Sequence, residues 1–292
     1  MGDMKRQTNT SPRRRRTVRR ATAIALAAAT AVLGLTACDD SDNKSAAGGD
    51  RSDVGAPPAS APSADSKASG TGTGTKNQKL GKLLWMGDSI AEAEAPAIGA
   101  AMKAGGTEFK SMAAAGGGGV LGPPELAQST WDQLPNELGS FKPNVVVYQI
   151  TSYDWGKPEE QRVGYERLVK TVNDAGAELL IVSAPPFLID GFYKPHEADI
   201  KTAPKSAKEV ADKHPGKVRF LDAAALWGTD NAADKAQRSK DHIHSCPQGS
   251  AAFAQWLATD LAKKYGYTPA PVDQWATGSW TGDKVYLKLD CK

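Results

Sequence analysis

The sequence has few of the side chains from which metal and cofactor sites are built. It contains four histidines and three cysteines in 292 residues, and none of them stands in the Cys/His/Asp spacing typical of a metal site. It also contains no internal repeat, which excludes a repeat architecture. We therefore expect a globular protein that works without a metal or another cofactor.

The chain also lacks an apolar run long enough to span a membrane. Residues 1–37 carry eight Lys or Arg side chains, one acid and the short apolar run Ala21–Leu35. A basic region, a short apolar core and small residues before Cys38 are typical of an export signal. Leu35-Thr36-Ala37-Cys38 matches a bacterial lipobox, so we predict a lipid on Cys38; the alternative is a plain secretory signal with an incidental cysteine. Arg19-Arg20 leaves Sec and twin-arginine export both open.

The positive charge of the chain belongs to this signal. The whole sequence has a formal charge of +3, but residues 38–292 contain 28 basic and 32 acidic side chains and carry a net charge of −4. The exported part thus lacks the basic surface that nucleic-acid binding needs. We expect no nucleic-acid partner.

Residues 38–78 contain almost no large apolar side chains. They are mainly Ser, Ala, Gly, Pro and Asp, and such a segment buries too little surface to offset the entropy cost of ordering. We predict a disordered tether, followed by one domain at residues 79–292. At roughly 210 residues, this region is long enough for a full core.

Within residues 79–292, short apolar runs alternate with helical segments. Such alternation indicates a parallel sheet covered by helices on both faces. We predict an α/β fold with a single doubly wound domain and a five-stranded parallel sheet. The predicted strands are Lys82–Met86, Glu108–Ala113, Asn144–Ile150, Glu178–Ser183 and Val218–Leu221. The predicted helices are Ala91–Lys103, Trp131–Gly139, Glu159–Ala175, Glu197–Lys213 and Pro247–Tyr265.

The segment Trp85-Met86-Gly87-Asp88-Ser89-Ile90 is the most informative of the chain. It places Ser89 at a strand-to-helix turn, where a hydroxyl stands above the sheet edge beside a helix N-terminus. A serine hydroxyl becomes a strong nucleophile when a histidine takes its proton and a carboxylate orients that histidine. Asp241 and His244, three residues apart, supply both groups from one loop.

The Gly-Asp-Ser turn and the downstream Asp-x-x-His pair resemble the SGNH (GDSL-type) hydrolase family. The resemblance spans roughly residues 82–265 and implies a flavodoxin-like architecture with Ser89, His244 and Asp241 as catalytic residues. It also implies an oxyanion hole formed by the Ser89 N–H and by one glycine of the run at 116–119, for which we favour Gly117 or Gly118. The alternative for this run is a flexible turn.

The third strand departs from the family pattern. Members of the family continue this strand into Gly-x-Asn-Asp, whose asparagine amide donates to the oxyanion, whereas this chain has Tyr153-Asp154. Tyr153 is therefore a candidate substitute donor. The alternatives are a different mode of substrate binding and a loss of the chemistry. A similar replacement is found in SGNH domains of actinobacterial envelope proteins, which the lipobox and the Ala/Gly-rich composition also resemble.

Cys246 and Cys291 remain once Cys38 is assigned to the lipid. Outside the cytoplasm such a pair predicts a disulfide, and the alternative is a catalytic thiol at Cys246. In the tail between them, Trp275 and Trp280 either cover the sheet edge, with Val285–Leu289 adding a strand, or stack on sugar rings.

Three further histidines and one aspartate need an assignment. We expect His242 to point away from Ser89 in an extended loop, and His196 and His214 to lie on the surface. Asp222 ends the fifth strand and is a candidate turn cap.

Together these features predict a lipid-anchored extracytoplasmic serine esterase or acyltransferase that acts on O-acyl groups, with cell-envelope carbohydrate as the expected substrate. Its partners are an acylated carbohydrate or small ester, and the membrane through the N-terminal lipid. The alternative is a non-catalytic lipoprotein that binds carbohydrate or peptidoglycan on an SGNH scaffold.

Overall fold

A computed structural model describes residues 80–291. The predicted signal (1–37), the predicted tether (38–78) and Cys38 lie outside the described residues. The strands are β1 (Lys82–Met86), β2 (Glu108–Ser111), β3 (Val145–Gln149), β4 (Glu178–Val182) and β5 (Val218–Leu221). The helices are α1 (Ser89–Ala104), α2 (Pro124–Phe141), α3 (Pro158–Asp174), α4 (Glu197–Lys213), α5 (Ala224–Trp227), α6 (Pro247–Tyr265) and α7 (Lys284–Leu287).

The predicted α/β class and the five-stranded parallel sheet are confirmed. The strand order is β2-β1-β3-β4-β5, with every neighbouring pair parallel. Alternate side chains of each strand point to opposite faces: Leu84 and Met86 pack with α2, α3 and α4, whereas Leu83 and Trp85 pack with α1 and α6. The sheet is therefore covered on both faces, as a doubly wound fold requires.

The strand order indicates which edge of the sheet carries the functional site. The chain runs from β1 outward to β2 and then returns to β3 on the other side of β1. Ligands of open parallel sheets bind beyond the carboxyl ends of the strands at such a reversal. Ser89 follows β1 directly and Thr151–Asp154 follows β3, so both segments meet at this edge.

Helix α2 differs most from its predicted bounds, since it begins at Pro124 instead of Trp131. Proline is favoured in the first turn of a helix because its missing N–H has no partner there and its φ is already helical. The additional turns bring Ala127 and Gln128 to the end of the glycine-rich loop.

The prediction of a strand at Val285–Leu289 is wrong. Lys284–Leu287 forms the short helix α7, and Tyr286 is buried with its hydroxyl donating to the Ala93 carbonyl of α1 (2.7 Å). Trp275 is buried at 4% exposure and, with Trp280, packs on the core shared by α1 and α6. The tail thus covers helices and not the sheet edge, and these two tryptophans are not exposed platforms for sugar rings.

The disulfide predicted between Cys246 and Cys291 is present, with 5.5 Å between the Cα atoms. Cys246 is the N-cap of α6 and follows His244 by two residues, so the bridge ties the tail to the loop that carries His244. The bond also excludes Cys246 as a free catalytic thiol. No helix within residues 80–291 has the length and hydropathy needed to cross a membrane.

We expect Cys291→Ser to lower the free energy of unfolding by up to ~4 kcal/mol, because the bridge closes a loop of 45 residues and removes chain entropy from the unfolded state. Urea unfolding of the oxidised protein and the variant measures the difference. A reductant should lower the midpoint of the wild-type protein to that of the variant and leave the variant unchanged. A wild-type midpoint that is insensitive to reductant would contradict the prediction.

Candidate active site

Ser89 lies where β1 ends and α1 begins. Gly87 turns the chain with a φ of +153°, and a Cβ at this position would lie 2.5 Å from the Cβ of Ala91, so the turn requires glycine. The Asp88 side chain caps α1 by accepting from the Ile90 N–H (2.9 Å). Ser89 is therefore the first residue of the helix, with its hydroxyl at the carboxyl edge of the sheet and its N–H at the helix N-terminus.

Ser89, His244 and Asp241 form one continuous hydrogen-bonded chain. Ser89 Oγ lies 2.8 Å from His244 Nε2, and His244 Nδ1 lies 2.7 Å from Asp241 Oδ2. The other oxygen of Asp241 accepts from the N–H groups of Ile243 and His244 and from the Ser239 hydroxyl. Burial raises the pKa of Asp241, but the hydrogen bonds from His244, Ser239 and the backbone together hold it well below its ordinary value. The carboxylate is ionised and acts as acceptor of an Nδ1 proton.

The loop that carries His244 is a tight turn and not the extended segment that we predicted. The His242 N–H donates to the Ser239 carbonyl (3.0 Å), the Ser239 N–H donates to the His244 carbonyl (2.7 Å), and His242 has a φ of +56°. The turn leaves His242 exposed, and the histidine within hydrogen-bond distance of Ser89 is His244.

Two charged side chains, Arg238 and the buried Glu94, lie beneath this turn. Arg238 donates to the Ile243 carbonyl (3.2 Å) and to the Ser245 hydroxyl (2.8 Å), the two residues that flank His244. Glu94 of α1 is fully buried and accepts from the Gln149 amide (2.6 Å). Desolvation raises the pKa of Glu94 to about 7 and lowers that of Arg238 to about 10, although each charge partly offsets the other. The sequence analysis missed this pair.

Asp88 joins the ends of the two central strands. One oxygen caps α1, and the other accepts from both the N–H and the hydroxyl of Ser152 after β3, each at 2.7 Å. The carboxyl is buried, and desolvation raises its pKa in spite of these bonds. The sequence analysis assigned Asp88 neither its role as helix cap nor its bond to Ser152.

The two glycines that we favoured for the oxyanion hole make different contacts within the glycine-rich loop. The Gly117 N–H donates to the Ala114 carbonyl (3.2 Å), so it is already engaged within a turn. Gly118 has a φ of +77° and lies so close to Gly87 that a Cβ would be 1.8 Å from the Gly87 oxygen. This contact places Gly118 beside the residues that precede Ser89, and Gly118 remains the candidate donor.

Tyr153 lines the cavity at Ser89 together with Tyr193 and His244. Desolvation, and to a lesser extent Tyr193 and Asp88, raise its pKa to about 12. The phenol therefore keeps its proton at neutral pH. Its ring packs against those of Tyr193 and Trp155, with centroids 6.3 and 5.8 Å apart, so Tyr153 is part of the aromatic wall of the cavity.

Asp154, the other member of the aromatic–acid pair, lies below the site. It is buried and accepts from the hydroxyls of Tyr148, Thr151 and Tyr165 at 2.7–2.9 Å. Desolvation outweighs these bonds and raises its pKa to about 6. Asp154 thus holds the loop that presents Tyr153 and does not face the cavity of Ser89.

The tail forms one wall of the cavity, which the sequence analysis did not predict. The cavity has a volume of about 720 Å³ and opens over Ser89. Lys284, Val285, Lys288 and Leu289 line it opposite the end of β1. The disulfide that ties the tail to the His244 loop therefore also holds a wall of the site.

Two of the other predicted positions are corrected. His196 lies not simply on the surface but stacked on Trp155, with ring centroids 3.5 Å apart and an interplanar angle of 2°. His214 is half-buried, with Nε2 2.6 Å from the Glu166 carboxylate. Asp222 is the expected cap, since it accepts from the Ala224 N–H (2.9 Å). Residues 80–291 contain no cluster of side chains able to hold a metal ion.

Comparisons with known proteins locate similar folds among solved structures at low identity. An α/β hydrolase enzyme from the metagenome of Lake Arreo, Spain, is 16% identical over 65% of this chain and 96% of its own, with a TM-score of 0.49. A GDSL-like lipase from Bacteroides thetaiotaomicron is 11% identical over 62% and 88%, with a TM-score of 0.48. A salicylyl-acyltransferase from a tetracycline biosynthetic pathway is 16% identical over 66% and 58%, with a TM-score of 0.42.

No protein-family model and no curated protein matches the sequence. At these levels of similarity neither activity nor substrate transfers from the solved structures. The chemistry of this chain rests on its own side chains.

We predict that Glu94 makes stability fall with rising pH. Its folded-state pKa of about 7 lies above its ordinary value of 4.5, so the folded protein binds more protons than the unfolded protein between these values. This contribution decreases stability as pH rises through the window and is constant above it. Relative to wild type, Glu94→Gln should therefore gain on the order of 3 kcal/mol between pH 4.5 and 8.

Urea unfolding at stepped pH measures this difference. Glu197→Gln is the control, because its exposed carboxyl has a pKa lowered to about 2 by Lys194 and Lys201. The ion pairs of Glu197 stabilise the fold above pH 4.5 and lose this contribution as the pH falls below 4.5. The stability difference between wild type and Glu197→Gln should therefore stay constant between pH 4.5 and 8. Parallel wild-type and Glu94→Gln profiles from pH 4.5 to 8 would show that burial of Glu94 does not shift its titration.

Proposed function

We propose that this protein is a serine esterase or acyltransferase of the SGNH type that acts on O-acyl groups. The observation that carries the proposal is the chain of hydrogen bonds from Ser89 Oγ through His244 to Asp241, at 2.8 and 2.7 Å. The three residues come from two distant segments, which meet at the sheet edge where ligands of this architecture bind. A nucleophile, a base and an orienting carboxylate in this order are the parts that acyl transfer needs.

The proposed reaction begins with attack of Ser89 Oγ on the ester carbonyl. His244 takes the hydroxyl proton, and Asp241 stabilises the imidazolium. The N–H groups of Ser89 and Gly118 hold the oxyanion. When the intermediate collapses, the bond to the alcohol breaks and His244 returns the proton to the leaving oxygen. Water or a sugar hydroxyl then takes the acyl group from Ser89 by the same steps in reverse.

We further propose that the enzyme works outside the cytoplasm, anchored by a lipid on Cys38, and that its substrates are acylated carbohydrates of the cell envelope. The Cys246–Cys291 disulfide supports the oxidising compartment. The lipobox supports the anchor. The substrate class rests on the resemblance to actinobacterial envelope proteins and on the aromatic wall beside Ser89.

The second candidate is a non-catalytic carbohydrate-binding lipoprotein on the same scaffold. One observation favours it: Tyr153, whose ring packs against Tyr193, occupies the position of the asparagine donor. The loss of one oxyanion donor typically lowers turnover about 10²–10³-fold. The intact contacts among Ser89, His244 and Asp241 favour the enzyme.

The purified protein should hydrolyse p-nitrophenyl acetate slowly. Ser89→Ala should lower kcat by on the order of 10⁴-fold or more, because no other side chain is placed to form the acyl-enzyme. His244→Ala should lower kcat nearly as much. The decrease in kcat caused by Asp241→Asn should be about one to two orders of magnitude smaller than that caused by Ser89→Ala, as in other triads. Matched controls are Ser111→Ala, which alters another serine of the same cavity, and His242→Ala, which alters the exposed histidine of the same loop.

Tyr153→Asn in the same assay tests the departure from the family pattern. Because an asparagine amide at this position would add a donor to the oxyanion, we expect Tyr153→Asn to raise kcat about tenfold or more. A fall would mean that Tyr153 itself takes part in turnover. Absence of wild-type activity, or activity unchanged in Ser89→Ala, would exclude the esterase and leave the binding protein.

Cys38→Ala should move the protein from the membrane fraction to the soluble fraction, because the predicted lipid is the anchor. The midpoint of urea unfolding should not change, since the predicted tether contributes no core residue. Fractionation of cells that produce either form, followed by immunoblotting, measures the distribution. Continued membrane association of the variant would refute the lipobox assignment.

A further inference from the structure

A second cavity lies beside the loop that carries Tyr153 and has Trp155 and Gly156 in its lining. It has a volume of about 530 Å³, within the ~300–1,000 Å³ of typical small-molecule sites. Its walls come from the end of the glycine-rich loop, the start of α2 and the loop before α3. At Gly122 the glycine-rich loop approaches the Tyr153 loop closely, since a Cβ at Gly122 would lie 1.9 Å from the Tyr153 carbonyl oxygen.

Trp155 gives this cavity a rigid aromatic wall. Its indole N–H donates to the Ser152 carbonyl (2.8 Å), and His196 stacks on the ring at 3.5 Å. The indole N–H thus already has a hydrogen-bond acceptor, and one face of the ring is covered by His196. The remaining apolar surface lines the cavity, and an apolar surface fixed in this way loses little entropy when a flat ligand binds.

Arg167 supplies the polar counterpart. Its guanidinium carbon lies 3.9 Å above the centre of the Trp131 ring, which holds the group flat against the wall of the cavity. Within residues 80–291, Arg167 has no carboxylate at ion-pair distance, whereas Arg162 of the same helix contacts both Glu159 and Glu209. Its planar set of N–H donors is therefore available to a ligand.

The cavity combines a fixed apolar ring with planar donors, and the exposed polar side chains of Gln128 and Glu160 complete its rim. A ligand that matches it has one apolar face and a polar edge of hydroxyl or carboxylate oxygens. A pyranose ring has this shape and chemistry. A simple acyl chain would make no hydrogen bond to these polar groups.

We propose that this cavity binds the saccharide part of the ester substrate, with a sugar ring stacked on Trp155 and its oxygens paired with Arg167. The inference deepens the proposed function and rests on it. Tyr153 lines the Ser89 cavity, and its ring lies 5.8 Å from that of Trp155. Tyr153 thus lines one cavity and its neighbour Trp155 the other, and the bound saccharide is proposed to extend past Tyr153 so that an O-acyl group of the same or the next sugar reaches Ser89. In the reaction, the sugar oxygen is the leaving group, and it takes the proton from His244.

The test uses the full chain with Ser89→Ala, purified in detergent, so that no substrate turns over. Tryptophan fluorescence is followed during titration with an N-acetylglucosamine tetrasaccharide and, separately, a galacturonic acid tetrasaccharide. We expect saturable binding of at least one probe. Arg167→Gln and Trp155→Ala, each added to Ser89→Ala, should weaken that binding at least tenfold, and Lys170→Gln, an exposed cation one turn further along α3, should not.

Arg167 is exposed, so its variant keeps the test decisive if Trp155→Ala fails to fold. Absence of saturable binding of both probes, or equal affinity in Arg167→Gln, would overturn the proposal. With Ser89 intact, Arg167→Gln should lower kcat/KM for the O-acetylated tetrasaccharide that binds at least tenfold more than it lowers kcat/KM for p-nitrophenyl acetate. Loss of all ester hydrolysis in wild type would instead refute the proposed function, and the binding result would still decide the saccharide site.

Discussion

The buried carboxylate of Asp88 is the constraint on which the site depends. Strands β1 and β3 are neighbours in the sheet, but the loops after them diverge, one into α1 and the other toward Tyr153. Asp88 accepts from the first turn of α1 and from both donors of Ser152, so the position of Ser89 and the path of the Tyr153 loop are fixed by one side chain. A buried carboxylate is stable only when such donors surround it. Loss of either set of donors would therefore disturb both loops together.

The histidine side of the site depends on contacts of a different kind. The turn around His244 has short-range hydrogen bonds of its own, but its position relative to Ser89 is set by Arg238 from below and by the disulfide at Cys246. The same disulfide holds the tail that forms a wall of the cavity. The base and part of the substrate wall are thus linked covalently, and the tail is part of the site even though it follows the last long helix.

Much of the fold could be predicted from the sequence because the buried strands β1, β3 and β4 are continuous apolar runs separated by segments of helical length. The contact between Ser89 and His244 could be predicted because both segments follow the order of a known pattern. The helix in the tail was not predicted, since Val285–Leu289 is apolar enough for a strand. Two contacts stabilise the helix: Asp283 caps it at the Val285 N–H, and Tyr286 packs against α1. Likewise, the engagement of Gly117 and the bond between Asp88 and Ser152 depend on tertiary contacts that no local pattern encodes.

The aromatic wall gives a physical meaning to the departure at Tyr153. An asparagine at this position would present an amide to the oxyanion, but it would have no ring to pack on Trp155 and Tyr193. In the proposed reaction the tyrosine replaces an amide donor, and its ring extends the aromatic wall of the Ser89 cavity to Trp155. Binding energy from parts of a substrate remote from the reacting bond can position the ester and lower the barrier. An enzyme that holds a large saccharide in this way relies less on each oxyanion donor than one that holds only a small acyl group, so the substitution is consistent with a retained triad.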